Sequence, residues 1–204
     1  MALGKPALDG RFVRLEPLEE DHREPLRAAA QHPEIFDYFT PMLGPLYDPY
    51  IDGALKRSDG QHELAFAVLL KAEQRYVGMT RYLAVEQTHK RLEIGSTWYE
   101  PAAWGGPVNP ECKLLLMQHA FETLKFHRVE YKTDMRNARS RAAILKLGAK
   151  QEGIFRKHMI MADGHVRDSV YFSIVDTDWP AVKAGLQRRL EDLGARTSRS
   201  ASCS

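Results

Sequence analysis

The stretch that most constrains this chain is Arg91-Leu-Glu-Ile-Gly-Ser-Thr-Trp-Tyr-Glu-Pro-Ala-Ala-Trp-Gly-Gly-Pro-Val-Asn-Pro-Glu-Cys-Lys113. Its first half reads as a strand, with Leu92, Ile94, Trp98 and Tyr99 supplying β-branched and aromatic content. Gly105 and Gly106 then allow a tight turn and a close approach of backbone to a ligand. Asn109 suits an N-cap, and Pro110 suits the first helical position, where no N–H is needed. Leu114, Met117, Phe121 and Leu124 recur at helical spacing behind them. A loop that feeds a helix N-terminus gathers unpaired N–H groups at a positive dipole end, which is a ready anion site. The plain alternative is a strand-to-helix connection that binds nothing.

Composition narrows the classes. The 204 residues are enough for one sizeable core, and 44% hydrophobic with 27% charged is ordinary for a globular chain. The net charge of +2 gives no bulk electrostatic case for nucleic acid or an anionic membrane. Any bound anion must therefore be held by a local arrangement of charge. Cys112 and Cys203 make no disulfide framework, and a cytoplasmic protein is expected. No apolar run reaches signal-peptide length at the N-terminus, nor the roughly 18 to 20 residues of a membrane span.

The rest of the chain alternates strands and helices. Residues 11–18 read as a half-buried strand ending near Pro17, and 19–31 as a helix. Residues 32–49 form a proline-rich loop carrying Phe36, Tyr38, Phe39 and Tyr47: a lid, an interface or a locally packed flap. A short helix follows around 50–57, then an antiparallel hairpin over 62–87. Arg128 to Asp134 alternates, and it follows the strand and helix of the first stretch, so it is expected parallel to 91–99. Asn137 caps a second helix that ends at Gly148. Residues 154–161 and 166–175 form a second hairpin, and Trp179 to Leu193 closes the chain as a helix. The expected organisation is one domain over 1–195, with a mobile Ser/Arg-rich tail over 196–204.

A second informative segment is Thr133-Asp-Met-Arg-Asn-Ala-Arg-Ser-Arg-Ala-Ala-Ile-Leu-Lys-Leu-Gly-Ala149. It again runs strand, short loop, helix, and it carries Arg136, Arg139, Arg141 and Lys146. Two neighbouring strand-to-helix crossings, one glycine-bearing and one arginine-rich, suit an extended polyanion lying across strand ends. Taken singly, each arginine reads as part of a solvated helix face.

With these segments in order, the chain resembles the GNAT superfamily of acetyl-CoA-dependent N-acetyltransferases, and within it the ribosomal-protein N-terminal acetyltransferase branch. The matches are Leu92-Glu-Ile-Gly-Ser-Thr-Trp with Trp104-Gly, Val108-Asn with its Leu-rich helix, and Asn137-Ala-Arg-Ser-Arg-Ala-Ala-Ile-Leu-Lys-Leu-Gly. Gly153-Ile-Phe-Arg, Asp163-Gly and Arg167-Asp-Ser complete the set. The resemblance implies a mixed α/β fold: a bent sheet of about six to seven strands flanked by helices, with two central strands splayed around acetyl-CoA. It implies that backbone groups at Thr97, Trp98 and Tyr99 pair with the pantetheine arm, and that amides of Gly105, Gly106, Val108 and Asn109 hold the pyrophosphate. Asn137 would hydrogen-bond the co-substrate, and Arg139 or Arg141 would reach a phosphate. Glu93 matches the acidic position that relatives use as general base; the alternative is a structural carboxylate. The implied acceptor is a primary amine, on a peptide N-terminus or a small molecule. The implied assembly is a monomer or homodimer, with no metal, nucleic acid or membrane. A non-catalytic acyl-CoA-binding relative is the competing expectation.

Two departures stand out. Relatives usually have glycine or alanine at Pro107, and proline brings no N–H. The helix position that often carries a tyrosine acid is Ile144, which cannot donate a proton. Cys112 lies where a helix start would stabilise a thiolate, but a buried structural cysteine is the simpler reading. His119, His127 and His158 show no metal-ligand spacing and read as structural.

Overall fold

The computed structural model describes residues 3–39 and 43–201, with side chains as far as 195. Eight strands form one open sheet, β1 (Leu8–Asp9), β2 (Val13–Pro17), β3 (Leu64–Leu70), β4 (Arg75–Glu86), β5 (Arg91–Tyr99), β6 (Arg128–Asp134), β7 (Lys150–Ile160) and β8 (Val166–Val175). Their order is β1-β2-β3-β4-β5-β6-β8-β7. Only β5 and β6 run parallel; every other neighbouring pair is antiparallel. The strand beyond the expected count is β1, a two-residue pairing with Leu15 and Arg14 that is too short to show a period.

Among the described residues five α-helices cover the sheet, α1 (Arg23–Ala29), α2 (Tyr47–Arg57), α3 (Val108–Gln118), α4 (Ala138–Leu145) and α5 (Trp179–Ala201). Strand β3 shows how the two faces differ. Leu64, Phe66 and Val68 pack with residues of α3 and α5, while Ala65 and Ala67 point the other way, among residues of α1 and α2. Large side chains on one face and methyl groups on the other give two cores, one on each side. None of the described helices is long and apolar enough to cross a membrane.

Several boundaries differ from expectation: β7 starts at Lys150 rather than at 154, and α1 covers only Arg23–Ala29 of the expected 19–31. Helix α3 is capped at Pro107, so Pro110 is its third residue and Asn109 its second. The proline ring already holds φ at −76°, and the first four helical positions need no N–H acceptor, so both prolines fit inside the turn. Helix α2 begins at Tyr47, after a short 3-10 turn over Gly44–Leu46. Helix α5 runs to Ala201 and takes in most of the expected tail, whose last three residues lie outside those described.

Two charged side chains on α3 fix its place. Glu111 is buried, and its carboxylate accepts three backbone N–H groups from the start of β2: Arg11 at 2.9 Å, Phe12 at 2.6 Å and Val13 at 2.7 Å. A carboxylate in the first helical turn is also favoured by the helix dipole. Lys113 is buried too, and its Nζ donates to Thr97 Oγ1 at 2.7 Å on β5 and to Thr80 Oγ1 at 3.3 Å on β4. Its partners are hydroxyls, with no carboxylate partner among the described residues. Burial pushes its pKa down from 10.5 to about 8.

These contacts make two predictions. Replacing Glu111 with Ala leaves the buried Val13 N–H and the part-buried Arg11 and Phe12 N–H groups without their acceptor, which costs about 3 kcal/mol. Urea unfolding measures it, and a loss within about 0.5 kcal/mol, the size of a surface change, would contradict the role. For Lys113, the unfolded chain holds more protons than the folded one between about pH 8 and 10.5, so this residue makes stability rise with pH in that window. Relative to Lys113→Met, the wild type gains about 3 kcal/mol across it, at 1.36 kcal/mol per pKa unit. A difference between the two proteins that stays constant with pH would exclude an ammonium whose pKa burial lowers.

Candidate active site

The parallel ladder between β5 and β6 is short. It pairs Arg91 with Arg128, Leu92 with Val129 and Glu93 with Glu130, and then stops. Beyond it β6 follows β8 to Asp134, and β5 follows β4 to Tyr99. The two strands part because β5 is bent toward β4 by a bulge. Met79 faces Trp98 and Arg81 faces Gly95, so two residues, Ser96 and Thr97, stand opposite Thr80 alone. Ser96 sits at φ +45°, a conformation a serine adopts only where the surroundings impose it. The Lys113 ammonium and the Thr80–Thr97 hydroxyl contact of 2.8 Å hold the bulge from the α3 side. From Ile94 onward, β5 thus has no strand partner on its β6 side.

At the open end of this gap lie the loop and the starts of α3 and α4. Gly105 has φ +76°, and a Cβ added at Gly105 or Gly106 would meet nothing within 4 Å, so the loop faces open space. Val108 and Asn109 begin α3, and their N–H groups have no acceptor within the helix. Trp104 joins the two crossings: its indole N–H donates to Tyr99 O at 2.9 Å, and the Arg139 guanidinium lies 3.8 Å from its ring centre. Asn137 caps α4, with its carbonyl accepting from Ser140 N at 2.8 Å, which leaves its amide NH₂ uncommitted. Arg141 is half-buried, with no hydrogen-bond partner for Nε among the described residues. Trp98 and Tyr99 are both buried, on opposite faces: Trp98 in the core under α1 and α2, Tyr99 in the core under α3 and α5.

Glu93 occupies the vertex where the strands part. It is 5% exposed, and Lys132 Nζ on β6 lies 2.9 Å from its Oε2. Its carboxylate folds back over Gly95, where an added Cβ would come within 2.6 Å of Oε1, so a larger residue there would displace it. Burial raises the Glu93 pKa; the charge of Lys132 and its hydrogen bond pull the other way. The arrangement is a carboxylate of enhanced basicity, kept ionisable by a neighbouring cation, at the end of an open strand edge.

The sequence-predicted residues therefore gather around one gap: Glu93 at its vertex, Thr97, Trp98 and Tyr99 along one wall, Gly105, Gly106, Val108 and Asn109 at its mouth, and Asn137, Arg139 and Arg141 beside the mouth. The aromatic segment approaches the same region, with Tyr38 5.6 Å from the Arg136 guanidinium and Phe39 against Tyr50; residues 40–42 lie outside those described. On the far side, β7 bulges to form an open cavity of about 790 Å³ lined by Phe155, Arg156, Lys157 and His158. His158 shares a 3.0 Å hydrogen bond with Ser169. Ile144 is a core residue, 8% exposed. Cys112 is fully buried, and burial pushes its thiol up to about 12, so it is no thiolate. Among the described residues no group of His, Cys, Asp or Glu could hold a metal ion. Sequence reasoning missed Lys113, Lys132 and Glu111. Lys113 had a visible signal: it shares the apolar stripe of Met117 and Ala120, where a lysine must find a partner.

Comparison with known proteins accords with this geometry. Residues 13–150 match the model of the acetyltransferase (GNAT) domain. The chain is 33% identical to a GCN5-related N-acetyltransferase from Brucella melitensis, whose crystal structure superposes with a TM-score of 0.85 over 92% of this chain and 86% of that one. It is 24% identical over 179 residues to the Bacillus subtilis protein named probable N-acetyltransferase YjcK, covering 84% of this chain and 98% of that one. The fold is also that of Mycobacterium smegmatis RimJ in complex with CoA-disulfide, at 18% identity and a TM-score of 0.75, covering 91% of this chain and 93% of that one. A bulged strand that parts from its parallel neighbour beside a glycine loop, in a chain matched by this domain model over most of its length, makes the protein a member of the GNAT acetyltransferase family.

Proposed function

We propose that the protein transfers an acetyl group from acetyl-CoA to a primary amine, on a peptide N-terminus or a small molecule. The observation that carries this reading is the unpartnered edge of β5 beyond Glu93, which ends at an open glycine loop and a helix N-terminus. An amide-bearing arm fits such an edge as an added strand does. A pyrophosphate fits the N–H groups of Gly105, Gly106, Val108 and Asn109, none of which is a proline. Pro107 and Pro110 subtract two donors from the same turn, so the phosphates depend more heavily on Arg139, Arg141 and the Asn137 amide. The RimJ complex with CoA-disulfide supports the choice of ligand class at the level of the fold.

In the reaction the amine nitrogen bonds to the thioester carbonyl carbon, and the carbon–sulfur bond breaks. Glu93 takes the proton that the nitrogen sheds, directly or through a water. A carboxylate with a raised pKa is better matched to that task than an ordinary one. The Lys132 ammonium, 2.9 Å from Oε2, balances the negative charge of Glu93 until the carboxylate takes that proton. Ile144 offers no proton to the departing thiolate, so water or a residue outside this helix position supplies it.

Calorimetric titration with acetyl-CoA and a thiol-release assay over amines and N-terminal peptides test the reading together. Binding with amine-dependent thiol release is expected. Binding without acceleration by any amine would make the chain an acyl-CoA-binding relative, and no binding at millimolar acetyl-CoA would remove the reading. Glu93→Gln is expected to lower turnover about 100-fold or more. It should also abolish the acidic limb of the pH–rate profile, along which the wild type slows as Glu93 becomes protonated. Unchanged turnover across pH would exclude Glu93 as the base.

A further inference from the structure

Beside Glu93, on the β4 side, lies a group of buried hydrogen-bond donors that nothing in the acetyl-transfer account uses. Arg81 is directly opposite Gly95, the residue over which the Glu93 carboxylate folds. It is 2% exposed, and neither Nε nor Nη2 has a hydrogen-bond partner among the described residues. It has no carboxylate partner there either. Its guanidinium stands 4.7 Å from the ring centre of Tyr50 on α2. The Tyr50 hydroxyl and the Trp98 indole N–H are buried as well; neither makes a well-formed hydrogen bond among the described residues, and Arg81 and Trp98 both lie close to the Tyr50 hydroxyl. These groups share the sheet face that carries Met79 and Trp98, under α1 and α2.

Buried polar groups are nearly always satisfied, because each loses its hydrogen bonds to water on folding. Here two donors of one guanidinium, an indole N–H and a phenol O–H crowd together, with the single Tyr50 oxygen as the acceptor they share among the described residues. Three of these four groups can only donate, and one residue carries a permanent positive charge. A planar fork of donors with no anion of its own is complementary to a carboxylate. Leu83 and Gly95, which lie between Arg81 and Glu93 on this face, are half-buried, so the surface between the two charges is reachable from solvent. As diagonal neighbours on adjacent strands, the Arg81 and Glu93 positions are about 7–8 Å apart at the backbone. One small molecule, or one residue of a peptide, spans that distance with an amine at one end and a carboxylate at the other.

We propose that Arg81, with the Trp98 indole and the Tyr50 hydroxyl, forms a carboxylate subsite, and that the acceptor is a primary amine carrying a carboxylate a few bonds away. The inference rests on the acetyl-transfer reading in placing the amine at Glu93. The carboxylate comes either from a free amino acid or from an acidic side chain at a peptide N-terminus.

The test uses matched pairs, titrated calorimetrically into the full chain with and without CoA. One set pairs free amino acids with their carboxamides. The other pairs peptides beginning with Glu or Asp with those beginning with Gln or Asn. The expected result is that the carboxylate member of at least one set binds at least tenfold more tightly, and which set does so identifies the source. Arg81→Gln should bring that ratio close to one, Arg81→Lys should retain part of it, and Trp98→Phe should reduce it. Should Arg81→Gln fail to fold, the wild-type ratio, Arg81→Lys and Trp98→Phe still decide. Equal affinity within every pair, no binding of any member, or a ratio that survives loss of the guanidinium would overturn the proposal. Failure of the acetyl-transfer reading shows itself separately, as absence of acetyl-CoA binding.

Discussion

The structure depends on the parting of two parallel strands. A parallel pair normally continues as long as both strands do, because each exposed backbone N–H and C=O needs a partner. Here the β5–β6 ladder ends after Glu93 and Glu130, although both strands run on. The bulge at Ser96 and Thr97 pulls β5 toward β4, and antiparallel pairing holds β6 against β8. The resulting gap leaves backbone groups in the middle of a sheet with no strand partner among the described residues.

The buried charges are arranged around that gap. Glu111 ties the start of α3 to β2, so the helix N-terminus cannot drift from the mouth. Two residues later the same helix lays the Lys113 ammonium on the hydroxyls of the bulge. On the opposite face Glu93 has Lys132 on one side and the Arg81 position on the other. Charged groups are costly to bury, and those at this site are either neutralised in pairs, tied to backbone, or left open toward a place where a substrate fits. Arg81 stands out among the described residues because two of its guanidinium nitrogens lack a well-formed hydrogen bond and no carboxylate faces it.

How much of this the sequence shows depends on the range of the interaction. Strand β5 over 91–99 and β6 over 128–134 have the bounds their alternation predicts, since burial of one face is written locally. The Asn137 cap is likewise a local contact with Ser140. The start of α3 is ambiguous locally because both prolines suit a first helical turn, and the structure puts the cap at Pro107. Glu93 was reached through resemblance, whereas its partner Lys132 and its seat over Gly95 depend on a strand 39 positions away and on the pleat. Arg81 was illegible for the same reason: an arginine in a hairpin strand reads as solvent-facing until α2 is seen lying over it.

The claim that the β5–β6 gap receives acetyl-CoA is tested most directly by amide hydrogen exchange of the full chain with and without the ligand. Slower exchange is expected at residues 94–99, whose strand edge gains a partner, and at 105, 106, 108 and 109, whose N–H groups meet the pyrophosphate. Unchanged exchange in both stretches under saturating acetyl-CoA, or protection confined to another part of the sheet, would contradict it.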